Sequence, residues 1–195
     1  MSAIDLILLG LVLEQPRSAY EIQKQIEYRN IGKWVRISSP SVYKKVLVLE
    51  QKGYLESRAV RESRMPEKTV YSVTGEGHRH FLSLMETTAA APVQAVFDFN
   101  AVIANLHKIP KQDALRLLSA IEENIRTIKD ELDTYLAERQ HIPLPGMAVM
   151  DQQKGIFESL LAWIGGFRQK FRKAPLSGPD GNPPRNGSGH PPRTA

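Results

Sequence analysis

The fold class this sequence predicts is mainly helical, of the α+β kind, with one small antiparallel hairpin in its first half. Three observations predict it. Apolar residues recur at helical spacing along most of the chain, the period changes to two only after Gly53, and ten of the 26 Gly and Pro residues fall in residues 175–195.

The composition sets outer bounds. The 195 residues are 42% hydrophobic and 24% charged, which is ordinary for a globular chain and excludes collagen-like and wholly disordered ones. There is no cysteine, hence no disulfide framework, thiolate zinc site or cysteine nucleophile. Lys and Arg number 26 against 21 Asp and Glu, a net charge of +5 that permits a polyanionic partner. Residues 1–86 carry 13 basic and 10 acidic groups, whereas residues 87–142 carry 6 and 8.

Residues 2–5 resemble a capping box, and the apolar run behind it, 6–13, makes a first helix buried on most sides that ends near Pro16. That run is far short of the roughly 20 residues a bilayer crossing needs and lacks a basic leader, so a cytoplasmic protein without membrane contact is expected. Ser18-Ala19-Tyr20-Glu21 is an S-x-x-E capping box opening a second helix, with Tyr20, Ile22 and Ile26 facing inward. A short extended piece, 34–37, follows Gly32. Ser39 fits an N-cap and Pro40 the first helical position of a third helix running to Lys52. Gly53 suits the left-handed residue beyond its end. Val42, Val46 and Leu49 form the buried stripe, leaving Ser41, Lys44, Lys45 and Val48 on the other side.

Residues 54–60 and 68–73 alternate with period two and read as the strands of a hairpin. Their connection is polar, contains Pro66, and within 58–68 carries four basic residues to two acidic ones. Thr74 then caps a fourth helix carrying Phe81, Leu82 and Leu84. Helix, helix, helix, hairpin, helix is the order of a winged helix-turn-helix. A third helix that is small and polar at its start and then lysine-bearing suits entry into the major groove, and helix N-terminal N–H groups bind phosphate. The hairpin tip offers Arg61, Arg64 and Lys68 to the DNA backbone or minor groove.

These segments resemble the PadR family of bacterial transcriptional regulators. The similarity rests on Leu8-Leu9-Gly10-Leu11-Val12-Leu13, Ser18-Ala19-Tyr20-Glu21-Ile22 and Ser39-Pro40-Ser41-Val42-Tyr43-Lys44-Lys45-Val46. It continues through residues 49–55 and 70–77 and covers most of residues 5–85. The chain departs from the family at Lys44, where Pro often stands. The resemblance implies Tyr20, Ser39, Ser41, Tyr43 and Lys44 near DNA; Tyr20 and Tyr43 are equally readable as packing residues.

Thr87-Thr88-Ala89-Ala90-Ala91-Pro92 reads as a junction over 87–92, or as a helix continuing to Ala91. The DNA-binding domain would then span 1–86 and a helical domain 93–173. Pro92 suits the first turn of a helix reaching Leu106. Leu118, Ile121, Ile125, Ile128, Leu132 and Tyr135 repeat as a heptad seam, which calls for a helix packed lengthwise on another helix. A last helix over 149–173 carries Leu160, Trp163 and Phe167 on its apolar face. Together these residues predict dimerisation, and two recognition helices ~34 Å apart read a two-fold operator. The resemblance agrees, since longer members carry a helical C-terminal dimerisation domain. Phe97, Phe99, Trp163 and Phe167 are candidate walls of an effector pocket or ordinary core residues; the resemblance implies a small aromatic effector, such as a phenolic acid. Residues 174–195 read as a disordered tail.

No Gly-rich phosphate loop, HExxH pair or G-x-S-x-G elbow occurs, and His78 and His80 would diverge on a helix, so neither enzyme, cofactor nor metal site is expected. The expected function is a dimeric DNA-binding repressor. The competing readings are a winged-helix protein-interaction adaptor without DNA, and a membrane-surface protein using Arg168, Lys170, Arg172 and Lys173 of the final helix.

Overall fold

Contacts divide the chain into two units in a computed structural model that describes residues 3–61, 67–139 and 141–175; unit one is Met1–Gln94 and unit two Ala95–Ala195. Unit one is a winged helix. In chain order it has α1 (Ala3–Glu14), α2 (Ala19–Tyr28), a 3-10 turn (Ile31–Lys33), α3 (Ser39–Gln51), β1 (Leu55–Val60), β2 (Lys68–Val73) and α4 (Gly75–Ala89).

Its core gathers Leu8, Leu9, Leu11 and Val12 of α1, Ile22 and Ile26 of α2, and Val42, Val46 and Leu49 of α3, with Leu55, Tyr71 and Leu84 closing it. The 3.6-residue repeat places the residues of each helix on one face. The Ser18 capping box forms: its hydroxyl accepts from the Glu21 N–H at 3.3 Å, and the Glu21 carboxylate accepts from the Ser18 N–H at 2.7 Å. Helix α3 ends where Gly53 takes φ +73°, the left-handed region in which a Cβ is costly. Strands β1 and β2 pair antiparallel with Leu55 opposite Val73 and Val60 opposite Lys68.

A buried arginine, unanticipated from sequence, secures the hairpin. Arg17 exchanges both backbone hydrogen bonds with Tyr71, at 3.1 and 2.9 Å, adding a third main-chain segment beside β2. Its Nε–H donates to the Leu11 carbonyl at 2.9 Å, satisfying one of the carbonyls orphaned near the end of α1. Glu14 takes Arg17 at 3.0 Å and Arg29 at 2.6 Å.

Several sequence expectations are corrected here. Residues 34–37, expected as a short extended piece, form an irregular run behind a 3-10 turn, with Trp34, Val35 and Ile37 packed on the core. Tyr20 does not face inward; it is 59% exposed, since Ile22 and Ile26 already occupy the buried side of α2. The N-cap of α3 is Ser38, one residue before the expected Ser39. Of the two readings of residues 87–92, the helical one holds as far as Ala89, where α4 ends after passing through Thr87 and Thr88.

Unit two contains α5 (Asn100–Asn105), a 3-10 turn (Leu106–Lys108), α6 (Lys111–Ala137) and α7 (Leu144–Lys173). Pro92 starts no helix. Val93 and Val96 are 97% and 75% exposed, so nothing supports a helix there. Phe97 and Phe99 stack on one another, which i,i+2 residues on a helix do not do. Helix α7 starts at Leu144, earlier than the expected 149, with Pro145 in its first turn, and it passes through Gly165 and Gly166 without a break. The core of the unit is Leu106, Ala114, Leu118, Ile121, Ile125 and Ile164, with Phe99, Ile103, Leu160 and Phe167 packed against it. The expected tail lies outside the described residues from 176 onward.

Candidate nucleic-acid interface

Opposite its buried stripe, α3 exposes Pro40, Tyr43, Lys44 and Leu47. Ser39 is also exposed, whereas Ser41 closes the first turn: its Oγ accepts from the Ser38 N–H at 3.0 Å and its hydroxyl donates to the Ser38 carbonyl at 2.6 Å. The two lysines expected to act together have different surroundings. Lys44 stands on the outer face. Lys45 is turned about 100° round the helix and pairs with Asp5 of α1 at 3.0 Å. Lys45 therefore ties α3 to α1, and as a DNA contact it is already committed within the domain.

Helix α2 supplies a neighbouring row that the sequence reading overlooked, although its i,i+3,i+4 spacing was visible. Tyr20, Gln23, Lys24 and Glu27 share one face. Lys24 lies 5.6 Å from the Tyr20 ring centroid and pairs with Glu27 at 2.9 Å. That hydrogen bond raises the Lys24 pKa above its ordinary value and lowers that of Glu27, the latter aided by Gln23. Gln23 Nε2 donates to Glu27 Oε1 at 3.0 Å and to Ser39 Oγ at 2.8 Å. An open cleft of about 260 Å³ lies beside this contact, lined by Gln23, Glu27, Lys33, Ile37 and Ser39 among others.

At the hairpin, Lys68 pairs with Glu21 at 3.1 Å. The α3 start is thus held to α2 by Gln23–Ser39, and β2 to α2 by Glu21–Lys68, so the two parts expected to meet DNA are pinned to one helix. Arg58 and Arg61 are exposed on and just after β1; Arg64 lies outside the described residues. The Glu21 carboxyl is held below its ordinary 4.5 chiefly by the Ser18 N–H, then by the Ser18 hydroxyl and Lys68, against the opposing effect of burial. The Glu14 carboxyl is lowered by Arg29 first. A depressed carboxylate pKa adds stability above the unfolded value that is lost as pH falls through the folded value. The thermal midpoint should therefore drop below pH 4.5, and Glu21→Gln should flatten part of that drop.

In unit two the seam residues divide. Leu118, Ile121 and Ile125 are buried within the chain, at 0%, 9% and 5% exposure, so as dimer contacts they are corrected: α7 and Leu106 already cover them. Ile128 is 42% exposed, and Leu132 and Tyr135 are half-buried, since the core cluster does not reach that far along α6. Leu160 and Phe167 of α7 are half-buried core neighbours. Phe97, Phe99, Trp163 and Phe167 come together as one row of stacked rings, with successive centroids 5.3, 5.9 and 6.1 Å apart. Trp163 is the most exposed ring of the row, at 41%, and the three phenylalanines are half-buried. Among the described residues, no group of three or more His, Asp or Glu can hold a metal ion, and no helix is long and apolar enough to cross a membrane.

Residues 8–83 match the profile of the transcriptional regulator PadR-like family. No curated protein sequence matches the chain. Among solved structures, Bacillus subtilis PadR in complex with operator DNA is similar at TM-score 0.75 and 14% identity, over 87% of this chain and 99% of that one. The same protein in complex with p-coumaric acid gives 0.74 and 13%, over 88% and 100%. The Vibrio cholerae virulence activator AphA gives 0.68 and 14%, over 87% and 98%. At these identities the likeness is one of fold.

Proposed function

The N-terminal domain of this chain belongs to the transcriptional regulator PadR-like family, a family of regulators and not of enzymes, and from that premise we propose that the protein is a dimeric, sequence-specific DNA-binding repressor of the bacterial cytoplasm. The observation that carries the reading is the outer face of α3, with Ser39, Tyr43 and Lys44, held beside a basic hairpin by contacts through α2. Duplex DNA is the partner, read by two copies on a two-fold operator. The N-terminal domain, ending after α4, does the reading and unit two joins the copies. The far half of α6, with Ile128, Leu132 and Tyr135, offers uncovered apolar side chains to the second copy. A dimer seated on a promoter blocks access to it. The operator complex of one structural neighbour supports the DNA assignment, and its p-coumaric acid complex supports release by a small aromatic compound.

The test is a mobility shift of DNA from upstream of the protein's own gene, with and without p-coumaric acid. A shifted band that the acid disperses is expected; no shift with any upstream fragment at low salt would end the proposal. The two lysines should separate cleanly. Lys44→Ala should weaken binding across sequences and reduce the salt slope by about 2, one contact being lost in each copy of the dimer, with stability within about 0.5 kcal/mol of wild type. Lys45→Ala removes the ammonium from a carboxylate only 16% exposed and should cost about 1–2 kcal/mol in a denaturation melt.

A further inference from the structure

We propose that Gln23 of α2 is a positioning residue for DNA recognition: it fixes the hydroxyl of Ser39 as a hydrogen-bond donor towards an acceptor atom on the duplex. This inference rests on the DNA-binding reading above. The argument begins with Glu27. Its carboxylate, kept ionised by Lys24 at 2.9 Å, can only accept hydrogen bonds. The Gln23 side-chain atom 3.0 Å from Glu27 Oε1 is therefore the amide NH₂ and not the carbonyl oxygen. The same NH₂ stands 2.8 Å from Ser39 Oγ and spends its second proton there. Ser39 accepts from Gln23, so its own hydroxyl proton has to point elsewhere.

What lies on that other side is exposed surface and the open cleft beside the first turn of α3. Acceptors available on a duplex include purine N7, guanine O6, thymine O4 and phosphate oxygens. A serine free to rotate serves donors and acceptors alike, whereas one whose lone pair is already occupied discriminates in favour of acceptors. The Lys24–Glu27 ion pair also has a neutralising role, because Lys24 offsets a carboxylate that would otherwise repel the phosphates.

The experiment uses the full-length chain and a library of randomised duplexes, from which wild type is expected to enrich one motif. Binding to that motif is then measured for Gln23→Met, Ser39→Ala and the double variant. Methionine matches glutamine in shape and lacks the donor. Gln23→Met should lose about two- to tenfold in affinity per half-site, the range for one net hydrogen bond, while its melting curve stays that of wild type. In the Ser39→Ala background the same change should cost nothing more, since the effect passes through that hydroxyl. Gln23→Lys, which retains a donor towards both oxygens, should bind at least as tightly as wild type. Wild-type affinity in Gln23→Met, losses that simply add in the double variant, or a weaker Gln23→Lys would each overturn the assignment of Gln23 while leaving the DNA reading intact. Failure of wild type to enrich any motif would overturn both.

Discussion

Raising salt from 50 to 200 mM should weaken binding of the dimer to its operator by on the order of 10⁴-fold. Four exposed basic side chains in each copy are counted towards the DNA backbone: Arg36 just before α3, Lys44 on it, and Arg58 and Arg61 at the hairpin. Two copies present eight of them. Each phosphate neutralised contributes about −0.9 to the slope of log affinity on log salt, so eight contacts give a slope near −7, and a fourfold rise in salt gives the stated loss. Lys45 and Lys68 are left out because their ammonium groups already face Asp5 and Glu21. Fluorescence anisotropy of a labelled operator duplex at five or six salt concentrations measures the slope directly. A line as shallow as about −2 would mean that these cations do not meet the DNA backbone, and the interface drawn here would have to be abandoned.

The second large effect is on folding. Gly77→Ala should cost at least about 3 kcal/mol and abolish DNA binding with it. A Cβ at Gly77 would stand 2.0 Å from the Tyr54 carbonyl oxygen, 2.8 Å from its carbon and 2.9 Å from Val73 Cγ1. That carbonyl has no freedom to withdraw. It accepts the Thr74 N–H at 3.1 Å and the Thr74 hydroxyl at 3.3 Å, while the Tyr54 N–H donates to Leu49 at 2.9 Å. The Tyr54 ring is further held against His80, with centroids 4.1 Å apart. Gly75 supplies the control, because a Cβ there meets nothing within 4 Å. Gly75→Ala should leave the melt unchanged or raise it slightly through better helix propensity. Equal melting of the two variants would show that the α3–β1 corner does not press on α4 as described.

The parts legible in the sequence were those where one local signal sufficed. The stripe of Val42, Val46 and Leu49, the left-handed Gly53, the Ser18 capping box and the period-two strands each state their structure within a few residues. The parts that were not legible depend on what lies opposite. Trp34, Val35 and Ile37 read only as a short extended piece, and the 3-10 turn before them carries no local signal of its own. Pro92 looks like a helix start until Val93 and Val96 are found facing solvent. The heptad seam correctly announced a partner helix, but periodicity does not say whose helix it is; over Leu118, Ile121 and Ile125 it is α7 of the same chain. At the candidate site, Lys44 and Lys45 are indistinguishable by composition, and only the position of Asp5, forty residues away, separates them. The Gln23–Ser39 contact spans two helices and had no signal in either one alone.

The Arg17–Tyr71 main-chain pair constrains how such a protein is regulated. A hairpin stitched at its root to the elbow between α1 and α2 cannot be re-aimed on its own, because swinging it would tear two hydrogen bonds and pull on an arginine locked between Glu14 and the end of α1. Around that pair the described elements of the winged helix form a single rigid handle, and variants that loosen the root should blunt the proposed recognition of DNA.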